Sequence, residues 1–167
     1  MQGTLVWITG LAGSGKTAVA KLVYAGLHKR NSNTVHLDGD VMRKLLGDSF
    51  GHDLAGRKAT ARIYARLAAA LTRQGINVVV STISLFHEIH AFNAKNNKKY
   101  AEVLLKVDQA ELLRRNKKKL YTQGKNVMGV HQKPEFPKRP SLTLQNNNKK
   151  QLQQNAAKIL AFIQRKR

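Results

Sequence analysis

The chain contains no cysteine, so disulfides and thiolate metal sites are excluded outright. That composition fits a reducing compartment, and a cytoplasmic location is the expectation. No run approaches the roughly 18 uninterrupted apolar residues of a membrane span. Met1 leads into a strand-like run, with no basic-then-apolar leader, so the chain reads as soluble and not exported. Prolines are scarce, and all three fall between residues 117 and 140. Acidic side chains are the thinnest class. Asp and Glu number 9 against 30 Lys and Arg, a formal net charge of +21, and after Glu111 only Glu135 remains.

A surface of this sign attracts polyanions, and nucleic-acid binding through phosphates is one reading of it. A solvated, self-repelling surface is the other. Asn, Gln and Lys crowd residues 93–99, 116–119 and 145–154, with few aromatics interleaved for base stacking, so no specific nucleic-acid partner is expected.

A length of 167 residues with 42% hydrophobic content predicts one compact domain, 1–167. Short apolar runs alternate with longer amphipathic ones, the pattern of an α/β fold with a central parallel sheet. Strands are predicted at 5–9 (LVWIT), 35–37, 76–81 (INVVVS), 103–107 (VLLKV) and 142–144. Helices are predicted at 17–29, 55–74, 87–97, 109–116 and 149–164, with Gly75 placed as a helix stop. Residues 117–140 carry the prolines, several lysines and little periodicity, and read as a mobile lid.

The first strand runs directly into GLAGSGKT, Gly10 to Thr17, and then into a helix, which satisfies GxxxxGK[ST] in its required context. Glycines at 10, 13 and 15 let the backbone turn tightly so that amides of the Ala12, Gly13, Ser14 and Gly15 stretch cradle phosphate oxygens. The helix start adds a positive dipole end, Lys16 can reach the β- and γ-phosphates, and Thr17 can ligate Mg²⁺. ATP is the natural occupant. No guanine-reading NKxD segment is visible, and no apolar strand ends in the acidic pair of hydrolysing machines, which favours a small-molecule kinase.

The second strand runs into VHLDGDVMR, placing Asp38 and Asp40 at a strand C-terminus, where ligands gather in parallel sheets. Two carboxylates facing the loop can orient a hydroxyl nucleophile and hold a cation. An Asp-Gly turn with Asp40 capping a helix from Val41 is the alternative. Arg43, Arg57 and Arg62 can bind a second anionic substrate or simply be solvated. The third strand ends in STISLF, so Ser81, Thr82 and Ser84 bring hydroxyls to the same edge; Phe86 can stack on a base or belong to the core. Arg115 and Lys118 can close over the transferring phosphoryl group, or form solvated surface.

In order, GLAGSGKT, LDGDVMR, GRKATAR, VVVSTIS, RRNKKKLY and GVHQKPEFPKRP resemble the motifs of adenylylsulfate kinases over nearly the whole chain. The resemblance implies a three-layer P-loop domain that moves the γ-phosphate of MgATP to the ribose 3′-hydroxyl of adenylylsulfate, giving 3′-phosphoadenylylsulfate for sulfate assimilation. It implies Lys16, Asp38, Asp40 and Ser84 as catalytic residues and Thr17 with Asp40 at the metal. It implies ATP contacts along Gly10 and Ala12 to Thr17 and from Arg115 and Lys118. The acceptor pocket it implies is Asp38, Arg43, Phe50, Arg57, Thr60, Ile83, Ser84, Leu85 and Phe86, and Ser84 matches a serine described in the family as phosphorylated. It leaves a homodimer open. Thr60 stands where the family has Asn, Leu85 where it has Pro, and Asn116 and Lys119 where the lid has Asp and Gly. The stretch TISLFHEIH is similar to a branch from capsule-sugar biosynthesis that includes cytidine diphosphoramidate kinases, which is the alternative acceptor. A non-catalytic polyanion binder on the same scaffold is the alternative of another class.

Overall fold

The computed structural model describes residues 1–116 and 119–165, apart from the side chain of Asp48. Strands β1 (Thr4–Thr9), β2 (Thr34–Asp38), β3 (Asn77–Ser81), β4 (Lys99–Lys106) and β5 (Leu142–Gln145) form one parallel sheet in the order β2-β3-β1-β4-β5. Parallel neighbours require crossover connections, usually helical. The chain supplies α1 (Lys16–His28), α2 (Gly39–Leu45), α3 (Leu54–Arg73), α4 (His87–Asn96), α5 (Gln109–Arg115), α6 (Leu120–Gln123) and α7 (Lys149–Arg165).

Alternation along β1 builds two core layers. Val6 and Ile8 pack with Val19 and Val23 of α1 and Ile159 and Ile163 of α7. Leu5 and Trp7 face the other way, onto Ala61, Tyr64, Ala65 and Ala68 of α3 and Ile89 of α4. The sheet is therefore covered on both faces, as its near-continuous apolar strands require, and the expected three-layer α/β architecture is present. No described helix is long and apolar enough to cross a membrane.

Every predicted strand and helix is present, and the differences are local. β4 begins at Lys99, four residues before the predicted start, because it pairs with β1 from Thr4 opposite Lys99 onward. Its first residues are half-buried and do not read as an apolar run. α2 has no buried residue, so no apolar period announces it. Its cap is Asp38, whose side chain accepts from the backbone N–H groups of Asp40 and Val41; Asp40 sits inside the first turn and does not cap. α3 starts from Asp53, whose carboxylate accepts from Gly56 N–H at 2.7 Å.

Within 119–140 the segment read as a lid is tied down at several points. Tyr121 Oη donates to the Ala12 carbonyl at 2.6 Å, and Glu135 N–H donates to the Leu85 carbonyl at 3.0 Å. The Glu135 carboxylate also accepts from His87 N–H at 2.7 Å, at the start of α4. Val127 and Met128 within this stretch are buried.

Because Ile159 is fully buried between α7, α1 and the sheet, Ile159→Ala is expected to cost about 3 kcal/mol in urea unfolding. A loss below about 1 kcal/mol would mean that this layer collapses around the cavity.

Candidate active site

The loop between β1 and α1 is shaped from outside. Asn146 Nδ2 donates to the Ser14 carbonyl at 2.8 Å, Arg115 Nη1 to the Gly13 carbonyl at 2.9 Å, and Tyr121 Oη to the Ala12 carbonyl. In a trans peptide the C=O and the following N–H point oppositely. Outward carbonyls at Ala12 and Ser14 therefore send the Gly13 and Gly15 N–H groups inward, and both residues line the cavity. The Ser14 N–H closes the turn onto the Leu11 carbonyl at 3.2 Å. Gly10 and Gly15 have φ of 153° and 86°. A Cβ at Gly10 would stand 2.5 Å from the Leu105 carbonyl oxygen, and one at Gly15 2.4 Å from Asn146 Nδ2, so neither position accepts a side chain. Lys16 Nζ donates to the Leu11 carbonyl at 2.7 Å, which holds the ammonium over the loop.

Facing the loop is a single cavity of about 560 Å³, lined by Gly13, Gly15, Lys16 and Thr17 at one end and by Arg43, Arg57 and Thr60 at the other. It lies at the C-terminal ends of β1, β2 and β3, where an open parallel sheet offers its crevice. Asp38 and Asp40 both line it. Asp38 Oδ2 accepts from Thr17 Oγ1 at 2.6 Å and from Ser81 Oγ at 2.8 Å, while Oδ1 accepts from the Asp40 and Val41 amides at 3.0 and 3.3 Å. Burial opposes ionisation at Asp38, but the bonds from Thr17, Ser81, Val41 and Asp40 outweigh it and hold the carboxyl below its ordinary value of 3.8. Asp40 is exposed within the cavity, one helical step further on.

α3 contributes a face at helical spacing: Arg57, Thr60, Ala61 and Tyr64 all line the cavity. Arg57 donates to the His52 and Asn126 carbonyls at 2.9 and 3.1 Å; burial, with Arg43 nearby, lowers its pKa. Arg43 Nη1 donates to the carbonyls of Phe50 and Gly51. Thr60 Oγ1 donates to the Gly56 carbonyl at 2.7 Å. Tyr64 Oη donates to the Gly39 carbonyl at 3.1 Å, bracing the turn between the two carboxylates. Its pKa is pushed up to about 12 by burial, with Arg43 opposing and Asp40 and Asp38 adding, so it stays a donor.

Some sequence-predicted positions lie elsewhere. Leu85 is fully buried in the core and does not reach the cavity, because the turn from β3 into α4 points it into the layer beneath α3. Phe50 does not line the cavity either; its carbonyl, not its ring, serves the site by anchoring Arg43. Phe86 lines the cavity yet is 1% exposed, with Lys58 Nζ 5.7 Å from its ring centroid, so it is mainly core. Ile83 and Ser84 do line it, and Ser84 shares a 2.9 Å hydrogen bond with Thr82 at a φ of 24°. Gly10 and Ser14 shape the loop from behind, outside the cavity wall. Arg115 is not over the transferring group: its guanidinium is taken by Gly13, by the Asn146 carbonyl at 2.9 Å and by Glu111 at 2.7 Å, behind the loop. Lys118 lies outside the described residues. Sequence reasoning missed Tyr64, Lys21, Lys125 and His52, all at the cavity wall; the spacing of Tyr64 from Arg57 and Thr60 was the one available signal.

A phosphate-cradling loop, a carboxylate pair and an arginine-lined second compartment in one cleft define a P-loop phosphotransferase with room for a second substrate. Residues 2–145 match the family model described as adenylylsulphate kinase, and the chain belongs to that family. It is accordingly a nucleotide kinase, a phosphotransferase with an alcohol group as acceptor, in a family that uses ATP as co-substrate. A cytidine diphosphoramidate kinase of Campylobacter jejuni is 37% identical over 161 residues, covering 93% of this chain and 94% of that one. An adenylyl-sulfate kinase of Deinococcus deserti is 32% identical over 150 residues, covering 87% and 83%. The structure of the Mycobacterium tuberculosis APS kinase in complex with AMPPNP and APS superposes with a TM-score of 0.87 at 28% identity, covering 98% of both chains.

A carboxyl held below its ordinary value contributes stability at every pH above that value and loses it as pH falls through the folded value. Asp38→Asn should therefore flatten the acid limb of the stability curve while costing about 1 kcal/mol at neutral pH from the weakened cap. Urea unfolding from about pH 7 down to about pH 2 reads both effects, and parallel acid limbs in the two proteins would contradict the assignment.

Proposed function

We propose that this chain transfers the γ-phosphate of MgATP to the ribose 3′-hydroxyl of cytidine diphosphoramidate. The reaction rests on one observation: the Asp38 carboxylate, hydrogen-bonded to Thr17 at the loop, shares its cavity with Asp40, Arg43 and Arg57. Inward N–H groups and Lys16 hold the triphosphate, and the arginines bind the anionic group of the acceptor. Asp40 accepts the hydroxyl proton, or orients it, as the nucleophile advances.

The donor set fits Mg²⁺. Thr17 and Asp40 both line the cavity and would offer oxygens to a hard cation, which takes such ligands together with waters and phosphates. Asp38, its lone pairs met by four hydrogen bonds, holds Thr17 in place. Among the described residues no group of three or more His, Cys, Asp or Glu side chains could hold a metal by itself. When bound, Mg²⁺ neutralises charge on the β- and γ-phosphate oxygens. Asp40 lines the same cavity two residues on from Asp38 and completes the acidic side.

The acceptor assignment is supported by the 37% identity over nearly full length to the C. jejuni kinase. Thr60, at the cavity wall where the adenylylsulfate pattern has Asn, is a departure that argues against adenylylsulfate. Adenylylsulfate is the second reading, favoured by the family model and the TM-score of 0.87.

ADP release, followed in a coupled assay with MgATP and a panel of nucleotides, is expected to depend on the acceptor. Cytidine diphosphoramidate should exceed adenylylsulfate by roughly tenfold or more in kcat/KM. Asp40→Asn should lower kcat by about 100-fold. The reverse order of acceptors transfers the assignment to adenylylsulfate, and no turnover with any nucleotide sinks the kinase reading.

A further inference from the structure

Asp38 has support from the neighbouring strand β3. Ser81 is its register partner on β3 and donates to Asp38 Oδ2 at 2.8 Å; His36 Nε2 stands 2.9 Å from the same Ser81 Oγ. His36 and Asp38 are alternate residues of β2, so both point to one side of the sheet. A serine hydroxyl has one proton, and that of Ser81 is committed to an acceptor with none to return. The bond from His36 must then run from Nε2–H to Ser81 Oγ, which fixes one tautomer of the imidazole and leaves Nδ1 without a proton in the neutral ring.

The same proton count applies on the other side. Thr17 Oγ1 gives its proton to Asp38 Oδ2 at 2.6 Å, so the lone pairs of that hydroxyl face away from the carboxylate. We propose that His36 and Ser81 are positioning residues for phosphoryl transfer: a relay from Nε2–H through Oγ–H holds Asp38 Oδ2 where it takes the Thr17 proton, presenting the Thr17 lone pairs to the cation that accompanies the triphosphate. The relay rests on the MgATP-dependent reading of the site. The surroundings of His36 suit a fixed neutral ring. The Tyr24 ring stacks at 6.3 Å between centroids, with His28 5.2 Å beyond it. Burial lowers the His36 pKa, Asp38 opposes this and Lys21 adds to it. Outer partners of this kind act through the residue they orient.

The tautomer is read directly. Two-bond ¹H–¹⁵N spectra of the ligand-free protein are expected to show His36 protonated at Nε2, and protonation at Nδ1 alone would overturn the relay. His36→Phe keeps a ring against Tyr24 and removes the donor. It should raise the Mg²⁺ concentration for half-maximal rate by about tenfold. The factor by which Mg²⁺ tightens ATP binding in calorimetry should shrink equally, with the acceptor KM unchanged. His36→Gln returns an N–H near the Nε2 position and should recover most of the loss, while His28→Gln should change nothing. In a Ser81→Ala background His36→Phe should have no further effect. Wild-type behaviour of His36→Phe, a loss in His36→Gln equal to that in His36→Phe, or additive losses with Ser81→Ala would each overturn the proposal. A wild type without turnover would instead remove the kinase reading, and the tautomer would still report on the hydrogen bonds.

Discussion

One carboxylate organises the working end of this molecule. Asp38 takes four hydrogen bonds, two from backbone amides that begin α2 and two from hydroxyls on α1 and β3. Together the four bonds join three parts of the fold to the same two oxygens. The end of the phosphate loop, the start of α2 and the end of β3 therefore cannot shift independently at this point. A buried or half-buried carboxylate tolerates its charge only when its lone pairs are met. The low pKa direction at Asp38 is the signature of that arrangement, and Asp40, two residues on, lines the same cavity.

The second organising constraint is that the loop is shaped by partners distant in sequence. Arg115 follows β4, Tyr121 lies in the segment over the cleft, and Asn146 follows β5, yet they grip consecutive carbonyls. The loop's inward amides are the consequence of these outer bonds. Preorganised donors of this kind do not have to be turned toward a phosphate when it arrives, which is the main way a protein stabilises a transferring phosphoryl group.

The architecture was legible because its signals are local. Buried strands such as 76–81 read as continuous apolar runs, and the glycine-rich loop carries its own spacing. What stayed hidden depended on contacts across the sheet. α2 could not be read because none of its residues is buried, and its start is fixed by a side chain, Asp38, that appeared equally suited to catalysis. The capping role went to Asp40 in one sequence reading because an Asp at the head of a helix satisfies the pattern; only geometry shows that the strand's last residue already fills it. Leu85 and Phe86 share a motif, and the turn after β3 sends Leu85 into the core while leaving an edge of Phe86 at the cavity wall. Arg115 looked like a closing arm because a cation near a phosphate site suggests one, whereas its guanidinium is spent on carbonyls behind the loop.

Asn146 lies one residue past the end of the family match at residue 145, and Asn155 of α7 donates to the Gln145 carbonyl and to Asn146 Oδ1. The C-terminal helix therefore works as a buttress for a turn more than 130 positions upstream. A chain cut back to the matched span would keep every signature residue of the family and still lose the strut behind Ser14, so sequence diagnosis and mechanical completeness end at different places in this protein.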